Sequence, residues 1–335
     1  MRMTFDRAKL YSGLQHYPQF SKIKYESIFL DKHADGITEN QNHDPLLGWD
    51  FDIKGNRARG NKQYTDLPDS GILRIVTIGD SFTFGNDVQD HESFSARLEQ
   101  VVANTETINM GVPGYGIDQA ILKYINFGSL YHPHIVILGI YIEDYERTSV
   151  PFFAYSKPVF TLKMDGHFEL FNQPVPKPED ELSRIRKQAN GEIYSLALIK
   201  NLSLRLKTQF IGRETQLIKI DKVITHSLQL LIANLNSTQT KLLVVQFPNG
   251  KEFHETPSVW YQNVSSHLIG IYKKLNIQYI DLAKAFRISQ NNETISKHYY
   301  VHRPDGSIGH LSPHGNTQTA KLIIDALDFN MTFTP

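Results

Sequence analysis

The feature that most constrains the fold is a regular alternation between short apolar runs and longer segments of helical periodicity. Residues 73–78 form an apolar run with β-branched side chains that ends in Gly79-Asp80-Ser81, which is typical of a buried strand entering a turn. Further strands are predicted at 107–110, 134–141, 241–247 and 277–282. Helices are predicted at 91–103, 117–127, 217–235, 259–275 and 315–327. This alternation predicts a parallel sheet covered on both faces.

Charge and cysteine usage exclude several classes of protein. Lys+Arg and Asp+Glu are both 35, so the formal net charge is +0, and a dedicated nucleic-acid binder would need a basic surplus. Cys is 0, which excludes disulfide scaffolds, thiolate metal sites and cysteine nucleophiles. The N-terminal residues lack the apolar core of a signal peptide, and no run of about 18 apolar residues occurs. We expect a cytoplasmic chain without membrane insertion, although an exported mature chain would have the same features.

Residues that could carry chemistry follow the predicted strands, where an open parallel sheet gathers its reactive groups. Ser81 stands at a strand-to-helix turn, where it is either an exposed hydroxyl or part of a simple helix cap. The turn Gly111-Val-Pro-Gly114-Tyr-Gly116 follows the second strand and either presents backbone N–H groups or only allows a tight turn. His310, just before the last helix, could act as a general base.

The order of these segments, together with the sequences GDSFTFG, NMGVPG and HLSPHG, resembles the SGNH/GDSL hydrolase superfamily. The resemblance covers about residues 72–328. It implies that Ser81 is the nucleophile, His310 the base and Gly114 a backbone donor to the oxyanion. It also implies an α/β fold, a flavodoxin-like three-layer sandwich with a central parallel sheet of about five strands.

Domain boundaries follow from the same pattern. We predict an N-terminal extension over 1–70 that packs on the core, and a catalytic domain over 71–335 with an insertion at about 145–213. The insertion is either a cap or a plain surface excursion. Residues 284–309 are polar and are predicted to be loop.

Two positions depart from the family pattern. Glu143 occupies the place of an Asn whose side chain donates to the oxyanion, and an ionised carboxylate cannot donate. We expect Glu143 to face the same cleft as Ser81, where a protonated carboxyl could replace the amide donor. Ser307 occupies the place of the catalytic Asp, three residues before His310. The nearest carboxylate is Asp305, and we predict that it reaches His310 as the third member of the triad.

The resemblance implies a serine hydrolase that cleaves carboxylic esters, with short O-acyl or acetyl groups as first choice, through an acyl-enzyme on Ser81. The alternatives are an O-acyltransferase that moves the acyl group to a sugar hydroxyl, and a non-catalytic relative that binds a glycan. The expected partner is a small-molecule or glycan ester. No cofactor or metal is required by this scheme.

Overall fold

The computed structural model describes Glu26 and residues 43–50, 57–60, 62–153, 155–191, 213–253 and 258–328. The rest of residues 1–42 in the predicted N-terminal extension, and residues 192–212 of the predicted insertion, lie outside these ranges. The strands are β1 (His43–Asp44), β2 (Gly48–Trp49), β3 (Leu73–Ile78), β4 (Thr105–Asn109), β5 (Ile135–Tyr141), β6 (Val159–Leu162), β7 (Phe168–Phe171), β8 (Lys241–Phe247), β9 (Gln278–Asp281), β10 (Tyr300–His302) and β11 (Ile308–Leu311). The α-helices are α1 (Ser81–Phe84), α2 (Phe94–Val101), α3 (Ile117–Asn126), α4 (Asp144–Arg147), α5 (Pro178–Gly191), α6 (Arg213–Thr238), α7 (Val259–Lys274), α8 (Leu282–Ser289), α9 (Asn292–Tyr299) and α10 (Pro313–Leu327).

The chain divides into two compact units. The first consists of Met1–Asp50 and Glu146–Ile224, and the second, called here the sheet unit, consists of Phe51–Tyr145 and Thr225–Pro335. The predicted extension is therefore divided between the units, because residues 57–60 and 62–70 belong to the sheet unit. Most of the predicted insertion belongs to the first unit.

In the sheet unit, the described residues form a five-stranded parallel sheet in the order β4-β3-β5-β8-β9, flanked by helices. The predicted α/β class with a central parallel sheet is confirmed. β5 is the middle strand and is buried along its whole length, which explains why its sequence is apolar without alternation. The chain runs outward from β3 to β4 and then resumes at β5 on the other side. The reversal lies between β3 and β5, where folds of this order place their ligands.

The prediction of a loop over residues 284–309 is wrong, because that stretch contains most of α8, all of α9, all of β10 and the start of β11, which pairs with β10 as a hairpin. Each of these helices has only 8 residues, too few for an apolar period to stand out. Side-chain caps start them: Asp281 accepts from the backbone N–H of Lys284 at 3.2 Å, and Asn291 accepts from that of Thr294 at 2.8 Å. The hairpin matters because β11 carries His310.

The first unit has a small core of its own. Its buried apolar residues are Phe152, Tyr155, Val175, Leu182 and Ile185, with Trp49 packed against them. The turn between β1 and β2 is hydrogen-bonded to the segment before α5, since Val175 donates to the carbonyl of Pro45 at 2.8 Å and Gln173 Nε2 to that of Leu46 at 2.9 Å. N-terminal residues and residues of the predicted insertion thus build one structure. Among the described residues, no helix is both long and apolar enough to cross a membrane.

Candidate active site

Ser81 is the first residue of α1, directly after β3. The preceding residue, Asp80, caps the helix by accepting a hydrogen bond from the backbone N–H of Phe82 at 2.9 Å. The sequence left open whether Ser81 caps the helix or presents its hydroxyl for chemistry. In the structure Asp80 is the cap, and the Ser81 hydroxyl takes no part in capping. The Ser81 hydroxyl lies 3.2 Å from Asp80 Oδ2 and 2.9 Å from His310 Nε2. Ser81 is nearly buried, at 8% exposure.

His310 reaches Ser81 from a distant part of the chain. It lies on β11, and its ring packs edge-on against the ring of Phe82 with centroids 4.8 Å apart. The other ring nitrogen, Nδ1, lies 2.9 Å from Oδ2 of Asp87. Since a carboxylate only accepts hydrogen bonds, Nδ1 carries the proton and Nε2 is left as the acceptor for the Ser81 hydroxyl. Ser81, His310 and Asp87 form one continuous chain of hydrogen bonds.

The carboxylate of Asp87 is held by several donors. Oδ2 accepts from the ring and the backbone N–H of His310, the latter at 3.1 Å, and from Arg303 Nη2 at 2.8 Å. Burial acts to raise the pKa of Asp87, but the hydrogen bonds from His310 and Arg303 outweigh it and lower the pKa to about 2. The residue facing the imidazole therefore carries a negative charge at any pH near neutrality.

The predicted contact between Asp305 and His310 is wrong. Asp305 Oδ1 accepts from the backbone N–H of Ser307 at 2.9 Å and from its hydroxyl at 2.7 Å. These two bonds hold the pKa of Asp305 below its ordinary value. An aspartate in a tight turn readily bonds its own backbone two residues on. The Asp305 carboxylate therefore bonds within its own turn. The carboxylate that bonds to His310 Nδ1 is that of Asp87.

Asp87 was missed because the acid was expected only among residues just before His310, whereas Asp87 lies shortly after Ser81 in the sequence. It has a left-handed backbone with φ of 69°, which Asp adopts more readily than most residues. The Gly85-Asn86-Asp87 run is a turn signal that could have pointed to it. Opposite it, a Cβ on Gly309 would lie only 2.5 Å from Asp87 Oδ2. Glycine at this position makes room for the carboxylate.

The turn that contains Gly114 packs beside α1. The N–H of Val112 donates to the carbonyl of Gly79 at 3.0 Å, and Asn109 Nδ2 donates to that of Thr83 at 2.9 Å. Gly114 has a positive φ of 85°. Among the described residues, neither its backbone N–H nor that of Ser81 has a hydrogen-bond partner. Both N–H groups are therefore available as donors within the part of the chain that the structure describes.

Glu143 follows β5 and makes a different set of contacts from those expected. Its Oε1 accepts from Asn249 Nδ2 at 3.0 Å and from the Tyr261 hydroxyl at 2.9 Å. Asn249 Nδ2 also donates to the Tyr141 hydroxyl at 2.7 Å, and the Tyr141 ring stacks on Phe82 with centroids 4.5 Å apart. This polar cluster is therefore joined to the His310 side of the site through two aromatic rings. Asn249 and Tyr261 carried no motif in the sequence.

Metal ligation is a separate question. Over the part of the chain that the structure describes, no three His, Asp or Glu side chains are grouped so that they could hold a metal ion.

A comparison with protein-family models gives no match, and a comparison with curated proteins gives none. Among solved structures, similarity is found to a lipase/acylhydrolase from Enterococcus faecalis, at 14% identity over 79% of this chain and 100% of that one, with a TM-score of 0.45. A member of the lipolytic protein G-D-S-L family from Veillonella parvula DSM 2008 has 13% identity over 75% and 96%, with a TM-score of 0.38.

A third similar structure is a catalytic mutant of an acetylxylan esterase from Geobacillus stearothermophilus, at 13% identity over 76% of this chain and 94% of that one, with a TM-score of 0.41. At these TM-scores the likeness assigns neither an activity nor a residue role to this chain.

Proposed function

We propose that this chain is a serine hydrolase that cleaves carboxylic esters through an acyl-enzyme on Ser81. The observation that carries the proposal is the continuous hydrogen-bond chain from the Ser81 hydroxyl through His310 to Asp87. A nucleophile, a base within hydrogen-bond reach and a third group that orients the base are the components of nucleophilic acyl transfer.

The proposed reaction has two halves. Ser81 Oγ bonds to the carbonyl carbon of the ester while His310 Nε2 takes its proton. The imidazolium is stabilised by the charged Asp87 and returns the proton to the leaving alcohol as the ester C–O bond breaks. A water molecule then attacks the acyl-enzyme, His310 takes one of its protons, and the acid leaves as Ser81 regains a proton.

The oxyanion in both halves is assigned to the backbone N–H groups of Ser81 and Gly114. Their lack of partners among the described residues supports this assignment. Preorganised donors of this kind are worth about 2.7–4 kcal/mol each in acyl transfer. Glu143 was expected to supply a third donor in its protonated form. Its Oε1 accepts two hydrogen bonds, which supports a role as acceptor toward Asn249 and Tyr261.

The substitution Glu143→Gln tests that reassignment. An amide oxygen can still accept from Asn249 and Tyr261, so we expect hydrolysis within a few-fold of wild type and an unchanged alkaline limb of the pH profile. If Glu143→Gln flattens an alkaline loss of activity that the wild type shows, the protonated carboxyl is a donor after all.

The experiment for the function itself is labelling with a serine-directed fluorophosphonate, with the modified peptide identified by mass spectrometry, alongside hydrolysis of 4-nitrophenyl acetate. Ser81→Ala should lose the label. Its kcat should fall by about 10⁶-fold, the loss expected on removal of a serine nucleophile. Ser307→Ala is the matched control, because that serine is close in sequence to His310 and its hydroxyl donates to Asp305. It should label and turn over like wild type.

The preferred length of the acyl group and the identity of the acyl acceptor are measured with further substrates. Esters of acetate, butyrate and octanoate test the preference for short acyl groups. Transfer to added mono- and oligosaccharides, measured against release of free acid, distinguishes an O-acyltransferase from a hydrolase. A wild-type protein that resists the fluorophosphonate and is inert toward every ester would make the non-catalytic glycan binder the better interpretation.

A further inference from the structure

The loop that carries Asp87 accepts several hydrogen bonds from one arginine, Arg59, which lies outside the segments GDSFTFG, NMGVPG and HLSPHG. Arg59 Nη1 donates to the carbonyl of Phe84 and, at 2.6 Å, to that of Gly85. Its Nη2 donates to the carbonyl of Val88 at 2.7 Å, and its Nε donates to Asp90 Oδ1 at 2.7 Å. Asp87 thus lies in sequence between two carbonyls, at 85 and 88, that are bonded to the same guanidinium group.

The Arg59 guanidinium is buried and packed against the Asp87 loop. The side chain of Arg59 is only 8% exposed, and its guanidinium carbon lies 4.6 Å from the centre of the Phe84 ring. A Cβ on Gly85 would lie 2.5 Å from Arg59 Nη1, so glycine at 85 permits both the close approach and the positive φ of 84°. A guanidinium group has five N–H donors in a rigid planar fork and can serve several carbonyls in fixed directions, whereas an ammonium group has three donors on a flexible stem.

Arg59 is itself fixed to the sheet. Its backbone N–H donates to the carbonyl of Asn109, the last residue of β4, at 2.7 Å. Asn109 in turn donates through Nδ2 to the carbonyls of Thr83 and Phe84 at 2.9 and 3.3 Å. The end of α1 and the loop after it are therefore held against the sheet from two sides.

We propose that Arg59 is a positioning residue for hydrolysis: it fixes the Gly85–Val88 loop so that Asp87 reaches His310 Nδ1. The inference rests on the proposed function and adds a residue that does not touch the substrate. A geometric requirement explains why such a clamp matters. Asp87 is borne on a short loop with left-handed backbone, and a displacement of about 1 Å at a catalytic group can cost about 10²-fold in rate.

The test compares Arg59→Ala with Lys62→Ala. Lys62 is the matched control, because it is a nearby cation whose side chain bonds to Glu99 and Glu106 and does not bond to the Asp87 loop. With 4-nitrophenyl acetate, we expect kcat of Arg59→Ala to fall about 10²-fold with KM within about threefold of wild type. Lys62→Ala should retain wild-type kcat. Millimolar methylguanidinium should restore part of the lost kcat in Arg59→Ala, and methylammonium should not.

A second measurement does not depend on activity. In protein labelled with ¹⁵N-histidine, the Nδ1 proton of His310 is identified as the signal that Asp87→Asn removes. We expect Lys62→Ala to keep this signal and Arg59→Ala to weaken or lose it. If the wild type is inert toward esters while Arg59→Ala loses the signal, the proposed function fails and the positioning of Asp87 by Arg59 is supported.

Two outcomes would overturn the inference. One is an Arg59→Ala protein with unchanged kcat and an unchanged His310 signal. The other is a fall in kcat with the signal intact, because the loss would then not pass through Asp87. Should Arg59→Ala fail to fold, Arg59→Lys takes its place, since it keeps the charge but can bond fewer of the carbonyls. Its kcat should then lie between those of wild type and the loss expected for the alanine variant, with a weakened His310 signal.

Discussion

Two loops of the sheet unit each carry an aspartate close in sequence to a residue of the site, and they use it differently. The loop after α1 carries Asp87, whose Oδ2 accepts from both the ring and the backbone of His310 and from Arg303. The turn between β10 and β11 carries Asp305, whose Oδ1 accepts from Ser307 in the same turn. One carboxylate accepts hydrogen bonds from His310 on another strand, and the other accepts hydrogen bonds within its own turn.

The comparison shows that the aspartate that bonds to His310 is selected by the conformation of its loop. An aspartate reaches the histidine only where the loop leaves its carboxylate without a local donor. Asp305 has its nearest donors two residues away, and a local bond of that kind forms whenever the turn forms. Asp87 has no such local partner for Oδ2, and Arg59 holds the carbonyls of Gly85 and Val88 on either side of it. The Asp87 carboxylate is therefore available to accept hydrogen bonds from His310 on β11.

The largest effect is expected from exchanging each acid for its amide. Asp87→Asn should lower kcat about 10⁴-fold, the cost of losing the group that sets the histidine tautomer in a serine triad. Asp305→Asn should leave kcat within about twofold of wild type, because both hydrogen bonds of its carboxylate come from Ser307 in the same turn. Steady-state hydrolysis of 4-nitrophenyl acetate measures both. The reverse ranking would return the role of acid to Asp305.

A smaller effect is expected from filling the space opposite Asp87. In Gly309→Ala, the new Cβ would lie 2.5 Å from Asp87 Oδ2, so the carboxylate must move away from His310. We expect kcat to fall about 10²-fold without loss of the fold. Gly270→Ala is the control, because a Cβ there meets nothing within 4 Å. Equal kcat for the two variants would mean that the position of Asp87 tolerates displacement.

The smallest effect concerns stability and pH. The pKa of Asp87 is lowered from 3.8 to about 2, so its folded-state contacts stabilise the protein above pH 3.8 and this contribution is lost as the pH falls toward 2. In urea unfolding, wild type should therefore exceed Asp87→Asn in stability at pH 6, and the difference should shrink at pH 3. Because the Asp87 carboxylate is still partly exposed to solvent, the difference is expected to be small. A difference that grows on acidification contradicts the assignment.

Much of the fold could be predicted from the sequence because its strands are buried on both faces. Such strands appear as continuous apolar runs, and β3, β5 and β8 lie where these runs predicted them. The helices α8 and α9 could not be predicted in this way. Their side-chain caps are local, but the helices are also stabilised by burying Phe286 and Ile295, which requires tertiary contacts.

The residues of the candidate site likewise fall into those that the sequence indicated and those that it did not. Ser81, Gly114 and His310 could be named from the sequence because each follows or precedes a regular element in a short, distinctive segment. Asp87 and Arg59 belong to no such segment, and the contacts of Glu143 Oε1 with Asn249 and Tyr261 join residues that no sequence motif marks.

By itself, the sequence determined the parallel sheet and which residue types stand at the ends of its strands, because both follow from local apolar patterning and turn chemistry. Only the tertiary structure decided which carboxylate meets His310. That depends on the path of two loops whose shapes are set by long-range hydrogen bonds, which Arg59 donates to the Asp87 loop and the backbone of β11 donates to Asp87. A sequence specifies the donors and acceptors, but the direction of each depends on backbone geometry that distant residues hold in place.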